Sequence, residues 1–196
     1  IGPNGAGKTT LFALMSGELE LSSGQISLFG EDVSAWSAMR RSRAGLGRTY
    51  QITNVFSGLT VEENLVLAMR GRQGGRLNMF RTIRPDDKGG QRIDELLAIC
   101  GLKGRRDTRA SAMSYGEQRL LELAIALANE PRLLMLDEPA AGLSPAERGP
   151  MAETIRRLPS DLTVVLIEHD MELALGLADR VTCLYYGQVL AEGTPE

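Results

Sequence analysis

The chain has 196 residues, of which 43% are hydrophobic and 24% are charged, with a net charge of -3. These values are ordinary for a globular domain, and the slight acidity argues against a basic nucleic-acid binder. No apolar run approaches the ~20 residues that a membrane-spanning helix needs, so a role at a membrane would be peripheral. Two cysteines, Cys100 and Cys183, are too few for a disulfide framework and fit a reducing compartment.

The first motif is a glycine-rich loop at residues 2–9, which fits the pattern G-x-x-x-x-G-K-[ST]. Its glycines let backbone N–H groups turn toward a phosphate, and the helix predicted to follow directs its own donors at the same anion. Lys8 would reach the β and γ phosphates, and the Thr9 hydroxyl would take one magnesium position. The helix is predicted to end at Gly17. Because the chain opens at Ile1, directly before this loop, we expect a fragment that begins inside a domain.

The middle of the chain alternates between extended and helical patterns. Residues 25–29 lie between two glycines and alternate between polar and apolar side chains, which predicts a strand. A capping box at 60–63 predicts a helix over 61–69. The glycine-rich stretch 70–90 reads as a variable insertion, and 91–100 has the apolar spacing of an amphipathic helix.

Two apolar runs mark the sheet in the last third of the chain. A second capping box at 114–117 precedes a helix predicted over 118–129. Residues 133–136 and 163–167 are continuous apolar runs, typical of strands buried on both faces of a parallel sheet. A hairpin is predicted over 181–192. Strands that alternate with helices indicate an α/β fold.

Acidic side chains and the only histidine follow the two apolar runs. Asp137 and Glu138 come directly after the first run, at the sheet edge where ligands bind in open α/β folds. Asp137 is suited to hold Mg²⁺ through water, whereas Glu138 faces the other side and could act as general base for an attacking water. His169 ends the second run at the same edge, where it could donate to a phosphate and orient Glu138.

Together these motifs resemble those of ABC-type ATPase subunits, in the order of that family and over essentially the whole chain. The matching motifs are Walker A at 2–9, the Q-loop at Gln51, the signature at 114–118, Walker B at 133–138, the D-loop at 140–144 and the switch histidine at His169.

The resemblance implies a P-loop NTPase fold of the ABC ATPase type, with a mostly parallel central sheet flanked by helices and an inserted α-helical subdomain. We expect three parts. Residues 1–58 would form the first part of a RecA-like ATP-binding core without its upstream strands. Residues 59–130 would form the α-helical signature subdomain. Residues 131–196 would form the second part of the core, with a C-terminal hairpin.

The same resemblance implies ATP and Mg²⁺ as cofactors, and an ATPase reaction with Glu138 and His169 as catalytic residues. The implied magnesium ligands are Thr9, Gln51 and Asp137. The implied nucleotide-binding residues are Gly2, Pro3, Asn4, Gly5, Ala6, Gly7, Lys8, Thr9, Thr10, Gln51, Ser114, Tyr115, Gly116 and Glu117. In the family two ATP molecules are sandwiched in a head-to-tail dimer, so a second ATPase subunit is an expected partner.

The signature segment departs from the usual family pattern. Ser114 would cap a helix whose bare start at Gly116 can offer N–H groups to the γ-phosphate of ATP held by the partner subunit. The more usual signature has two glycines followed by glutamine, and this chain has Tyr115 and Glu117 in those places. Ser144 stands where the D-loop often has aspartate. A capping bond from Glu117 to the backbone would turn its charge away from the phosphate.

A narrower resemblance rests on five segments: 51–56, 59–65, 114–119, 137–143 and 192–196. They look like the ATPases of bacterial importers for branched-chain and related amino acids. This implies integral membrane permease subunits as partners and, indirectly, a periplasmic solute-binding protein. It also implies a peripheral location at the cytoplasmic face of the bacterial inner membrane. No nucleic acid is expected.

The surface that would dock on the permeases is the segment after Gln51, where Val55, Phe56 and Leu59 could offer apolar contacts, with core packing as the other interpretation. Two further functions stay open at this point: a lipopolysaccharide-export ATPase subunit, and a soluble ABC ATPase that acts on ribosomes or DNA.

Overall fold

The computed structural model describes residues 1–49, 55–72 and 87–195. Gln51, a predicted nucleotide and metal ligand, lies outside these ranges. The regular elements, in chain order, are α1 (Lys8–Ser16), β1 (Ser27–Leu28), β2 (Glu31–Asp32), α2 (Ala38–Arg43), β3 (Leu46–Arg48), α3 (Val61–Arg72), α4 (Asp87–Ile99), α5 (Tyr115–Leu127), β4 (Leu133–Asp137), α6 (Pro145–Arg156), β5 (Thr163–Ile167), α7 (Met171–Leu177), β6 (Val181–Tyr185) and β7 (Gln188–Gly193).

The central sheet is parallel and has the strand order β3-β4-β5. β4 lies in the middle and is buried along its whole length, as its apolar sequence predicts. Asp137 pairs with Ile167, so the residues that follow β4 and β5 emerge at the same carboxyl edge. β5 is half-buried rather than buried on both faces, which corrects the expectation for that run. Among the described strands it pairs only with β4.

Two apolar clusters cover the two faces of this sheet. Leu134 and Leu136 pack into a large cluster formed with α3, α4, α5 and α6. Leu133 and Met135 pack into a second cluster, together with Phe12 of α1. Since successive side chains of a strand point to opposite faces, Asp137 continues the Leu133 and Met135 row and faces the α1 side.

Both predicted capping boxes form. In the first, the Thr60 side chain accepts from the backbone of Glu63 at 3.2 Å, while the Glu63 carboxylate accepts from the Thr60 N–H at 2.8 Å. The helix that follows, α3, runs to Arg72. The predicted stop of α1 is also confirmed, because Gly17 takes the left-handed conformation at φ 80° and caps the helix end.

Several predicted boundaries are wrong. The strand expected over 25–29 is only two residues long, because Phe29 turns the chain at φ 57°. Of the stretch 70–90, residues 73–86 lie outside the described ranges. α4 begins at Asp87, earlier than expected, and includes two glycines, whose cost is offset by burial of Ile93 and Leu96. The helix expected over 118–129 begins at the first residue after its cap.

The antiparallel elements lie outside the central sheet. β1 pairs with β2, and β6 pairs with β7 around a turn at Tyr186 and Gly187. The predicted closing hairpin is therefore present, with its turn one residue earlier than expected. The division of the chain into two core parts and a helical subdomain stays a prediction. No helix in the described ranges is long and apolar enough to cross a membrane.

Candidate functional site

The glycine-rich loop folds tightly ahead of α1. The N–H of Ala6 donates to the Pro3 carbonyl at 3.1 Å, and Gly7 stands at the helix N-cap with φ 98°. The left-handed conformation at the N-cap favours glycine. Glycine has no side chain that could accept hydrogen bonds from the N–H groups of the first helical turn. The N–H groups at the start of α1 are therefore left for an external acceptor. Four further predicted ligands are exposed around them: Asn4, Gly5, Thr9 and Thr10.

Lys8 is buried, with 7% of its surface exposed, although it carries a charge. Its Nζ donates to the carbonyl oxygens of Gly2 at 2.7 Å and Pro3 at 3.0 Å. These bonds use two of the three donors of the ammonium group and hold it across the loop. The loop therefore presents a fixed positive charge beside the start of α1, where an anion is favoured.

The loop is supported from behind by the β6–β7 hairpin, a contact that the sequence does not reveal. The Ile1 nitrogen donates to the Thr182 carbonyl at 2.8 Å, and the Leu184 N–H donates back to Ile1 at 2.9 Å. The turn residue Gly187 donates to the Ala6 carbonyl at 2.9 Å. This support fixes the loop from both ends.

Asp137 lies at the carboxyl end of β4 and is 2% exposed. Burial raises the pKa of its carboxyl group, while the nearby charges of Arg48 and Lys8 act in the opposite direction. Arg48 lies 3.7 Å from one carboxylate oxygen and also pairs with Glu18 at 2.8 Å, just after α1. The structure therefore brings Asp137 and the loop lysine into one electrostatic environment.

Asp137 fits one position of a magnesium site. The Oδ1 atom of Asp137 is buried and has no hydrogen-bond partner within the described part of the chain. Among those residues there is no group of three or more His, Cys, Asp or Glu side chains that could hold a metal ion. This is compatible with Mg²⁺, which typically takes one or two protein ligands and completes its shell with water and substrate phosphates.

Glu138 is placed by an uncommon backbone conformation. It has φ 51°, a left-handed value that costs about 1–3 kcal/mol in a residue other than glycine. Its N–H donates to the Ile167 carbonyl at 2.9 Å, so the sheet holds the conformation in place. Its Oε1 lies 2.8 Å from Nε2 of His169, which follows β5. The two predicted catalytic side chains therefore meet at the sheet edge.

The start of α5 carries the predicted signature residues. Ser114 caps the helix, and its capping box with Glu117 is complete. The other Glu117 oxygen accepts from Arg105 at 2.6 Å. The expectation that Glu117 is held by its capping bond is confirmed. Tyr115 packs its ring over Gly142, and its hydroxyl donates to the Ala141 carbonyl at 3.4 Å.

Glu147 is a residue of this region that the sequence analysis missed. One of its carboxylate oxygens accepts from Ser144 in the capping box of α6. The other accepts from the Gly116 N–H at 3.1 Å and lies 3.5 Å from the Ser114 hydroxyl. The hydrogen bonds from the Ser144 side chain and from backbone N–H groups lower the pKa of Glu147. The S-x-x-E spacing of 144–147 is a sequence signal for the capping box of α6. It does not indicate that Glu147 also binds the start of α5.

Comparisons with known proteins show which family the chain resembles. A family model described as ABC transporter matches residues 1–141. The branched-chain amino acid transport ATP-binding protein LivG of Escherichia coli is 38% identical, over 100% of this chain and 80% of LivG. BraF of Pseudomonas aeruginosa, named for the same transport, is 37% identical with equal coverage.

Solved structures agree as well. The ADP conformation of MJ1267, an ATP-binding cassette of an ABC transporter, has a TM-score of 0.86 and 27% identity. The match covers 99% of this chain and 78% of MJ1267. The chain therefore belongs to the ABC transporter family, as one of its ATP-binding, ATP-hydrolysing subunits.

Proposed function

We propose that the chain is the ATPase subunit of a membrane importer for branched-chain or related amino acids, and that it works as a head-to-tail dimer with two sandwiched ATP molecules. The observation that carries the proposal is that Asp137 and the Glu138–His169 pair lie at one carboxyl edge of the sheet, where the Lys8 charge acts on the Asp137 carboxyl group. The choice of importer rests on the resemblance to LivG and BraF.

The phosphates of ATP bind at residues 2–10 in this proposal. Lys8 neutralises phosphate charge, and the first N–H groups of α1 donate to the same oxygens. Thr9 and Asp137 hold Mg²⁺, with Gln51 as a further ligand. Bound Mg²⁺ supplies additional positive charge to the phosphates, which is the main requirement of phosphoryl transfer.

Hydrolysis uses the pair at the sheet edge. Glu138 takes the proton of the attacking water as general base. The Nε2 atom of His169, 2.8 Å away, orients Glu138, and the same N–H turns to the γ-phosphate when ATP is bound. The left-handed backbone of Glu138 directs its side chain toward this partner, which gives the conformation a functional reason.

The second copy contributes the start of α5 to the same reaction. Ser114, Tyr115, Gly116 and Glu117 lie at a helix N-terminus, which favours an anion. Ser114 and Tyr115 are exposed, and 41% of the Tyr115 surface is accessible. Gly116 itself is buried and its N–H donates to Glu147, so the expectation of a bare helix start is wrong at this residue. Ser114 and Tyr115 are the part of the helix start that a neighbouring molecule can reach.

Docking on the permease subunits is assigned to the segment that follows Gln51. Phe56 is 62% exposed, whereas Val55 packs partly against the large apolar cluster. The exposure of Phe56 therefore favours a docking contact for this residue, whereas the packing of Val55 favours a role in the core. The subunit would lie at the cytoplasmic face of the inner membrane, coupled through its permeases to a periplasmic solute-binding protein.

Two measurements test the proposal. Binding of Mg-ATP and its hydrolysis by the full-length protein that contains this sequence test the ATPase site, with Lys8→Ala as the inactive control. Affinity purification of the tagged chain from membranes of its source, followed by identification of the bound subunits, tests the transport role. Recovery of amino-acid-importer permeases is expected. Recovery of lipopolysaccharide-export subunits, ribosomes or DNA in their place would overturn the importer assignment.

A further inference from the structure

Glu168 is a buried acidic residue that the proposed reaction does not use. It follows β5 and is 4% exposed. Its Oε1 accepts from the backbone N–H of Ala140 at 3.0 Å. Its Oε2 accepts from the N–H groups of His169 at 3.0 Å and Asp170 at 3.4 Å. Both oxygens are acceptors, so a single side chain binds backbone donors from two separate loops.

These two loops carry the two catalytic side chains. Ala140 lies two residues after Glu138. The other two N–H groups that donate to Glu168 are those of His169 itself and of Asp170. Within the segment 138–141, the Glu138 carbonyl accepts from Ala141 at 3.0 Å, so the turn is compact. One oxygen of Glu168 holds the turn that follows Glu138, and the other holds the backbone of His169. Glu168 therefore determines how the two catalytic side chains face each other.

We infer that Glu168 is a positioning residue for ATP hydrolysis, which rests on the proposed function of Glu138 and His169. It acts through the backbone and holds these side chains at their 2.8 Å separation. The left-handed conformation of Glu138 makes such support necessary, because an unfavourable backbone persists only where its surroundings determine it.

The chemistry of the contact explains why a carboxylate is required. Three N–H groups converge on two oxygens, and glutamine offers only one oxygen. In Glu168→Gln the amide NH₂ would face a backbone donor, so one of the two loops would lose its anchor. Glu168→Asp keeps both oxygens but is one methylene shorter, so it cannot reach both loops.

The test compares Glu168→Gln with Glu168→Asp and with Glu172→Gln, a control in which an exposed carboxylate of the adjacent α7 is neutralised. Steady-state hydrolysis gives kcat and KM for Mg-ATP. We expect kcat to fall by about tenfold to a hundredfold in both Glu168 variants, as for a small misplacement of reacting groups. KM should stay within about threefold, because the phosphate loop is untouched. The control should match the wild type.

His169 provides a second readout that does not depend on turnover. It is the only histidine in the sequence, so its imidazole signals in an NMR spectrum of the untagged chain need no assignment. We expect Glu168→Gln to shift these signals toward those of Glu138→Gln, in which the partner of the ring is changed directly. The control should leave them in place.

Each outcome decides the matter. Wild-type kcat together with unchanged His169 signals in Glu168→Gln would overturn the inference. Equal loss of ATP binding and of kcat would overturn it too, because Glu168 would then support the fold in general. Absence of hydrolysis in the wild type would instead contradict the proposed function, and the His169 signals would still report whether Glu168 positions the ring.

Discussion

Removal of the Arg41 guanidinium should destabilise the fold through the end of the phosphate-loop helix. Arg41 is 1% exposed and donates to four backbone carbonyls, those of Leu14, Met15, Ser34 and Trp36. Two of these carbonyls belong to the last turn of α1, where the helix itself supplies no donor. Burial lowers the pKa of this guanidinium.

The magnitude follows from the carbonyls that lose a donor. Leu14 also accepts from Gly17 at 3.2 Å, so three carbonyls depend mainly on Arg41. At about 1 kcal/mol for each buried acceptor left without a donor, Arg41→Met should cost about 3 kcal/mol of unfolding free energy. Methionine keeps the apolar stem, so loss of packing adds little.

Urea unfolding followed by circular dichroism measures this cost. With a slope of about 2 kcal/mol per molar urea, the midpoint should fall by about 1.5 M. Arg43→Met is the matched control, since Arg43 lies in the same helix but is exposed, and it should cost about 0.5 kcal/mol or less. Equal midpoints for the two variants would refute the capping role of Arg41.

Three further predictions concern the site itself. Lys8→Ala should abolish ATP binding in calorimetry, since the loop loses its buried charge; unchanged affinity would contradict the phosphate-loop assignment. Glu138→Gln should bind ATP and remain as an ATP-bound dimer in size-exclusion chromatography, and wild-type turnover would remove Glu138 from its role. Asp137→Asn should melt at a higher temperature than the wild type at pH 7, while it loses hydrolysis. The raised pKa of Asp137 means that the folded state penalises its ionised form, so this gain should shrink as the pH falls toward about 4 and should be absent below that pH; a gain independent of pH would contradict the assignment to desolvation.

Much of the site can be predicted from the sequence because its parts are local. The glycine spacing of residues 2–9 and the capping boxes each describe a short segment, and such segments fold as their spacing indicates. The apolar run of β4 similarly predicts a central strand, and the acid that follows it lies at the sheet edge. These features need no knowledge of distant contacts.

The features that were missed depend on distant contacts. The hydrogen bond between Glu147 and the start of α5 joins residues that are 31 positions apart, and the sequence around either residue does not predict it. The basic sequence around Arg41, at residues 40–43, is typical of a protein surface, yet tertiary packing buries this side chain. The glycines near the start of α4 suggest a loop, but the apolar face of that helix overrides their low propensity.

The pairing of Ile1 with β6 has a consequence for the order of events during synthesis. The Ile1 nitrogen and the Thr182 carbonyl are separated by 181 positions. Contacts between such remote segments form late, because a long stretch of chain must be closed first. On a ribosome, the phosphate loop emerges before β6 and acquires its backing only once β6 has been made. The loop of a nascent chain should therefore bind nucleotide weakly until β6 has emerged.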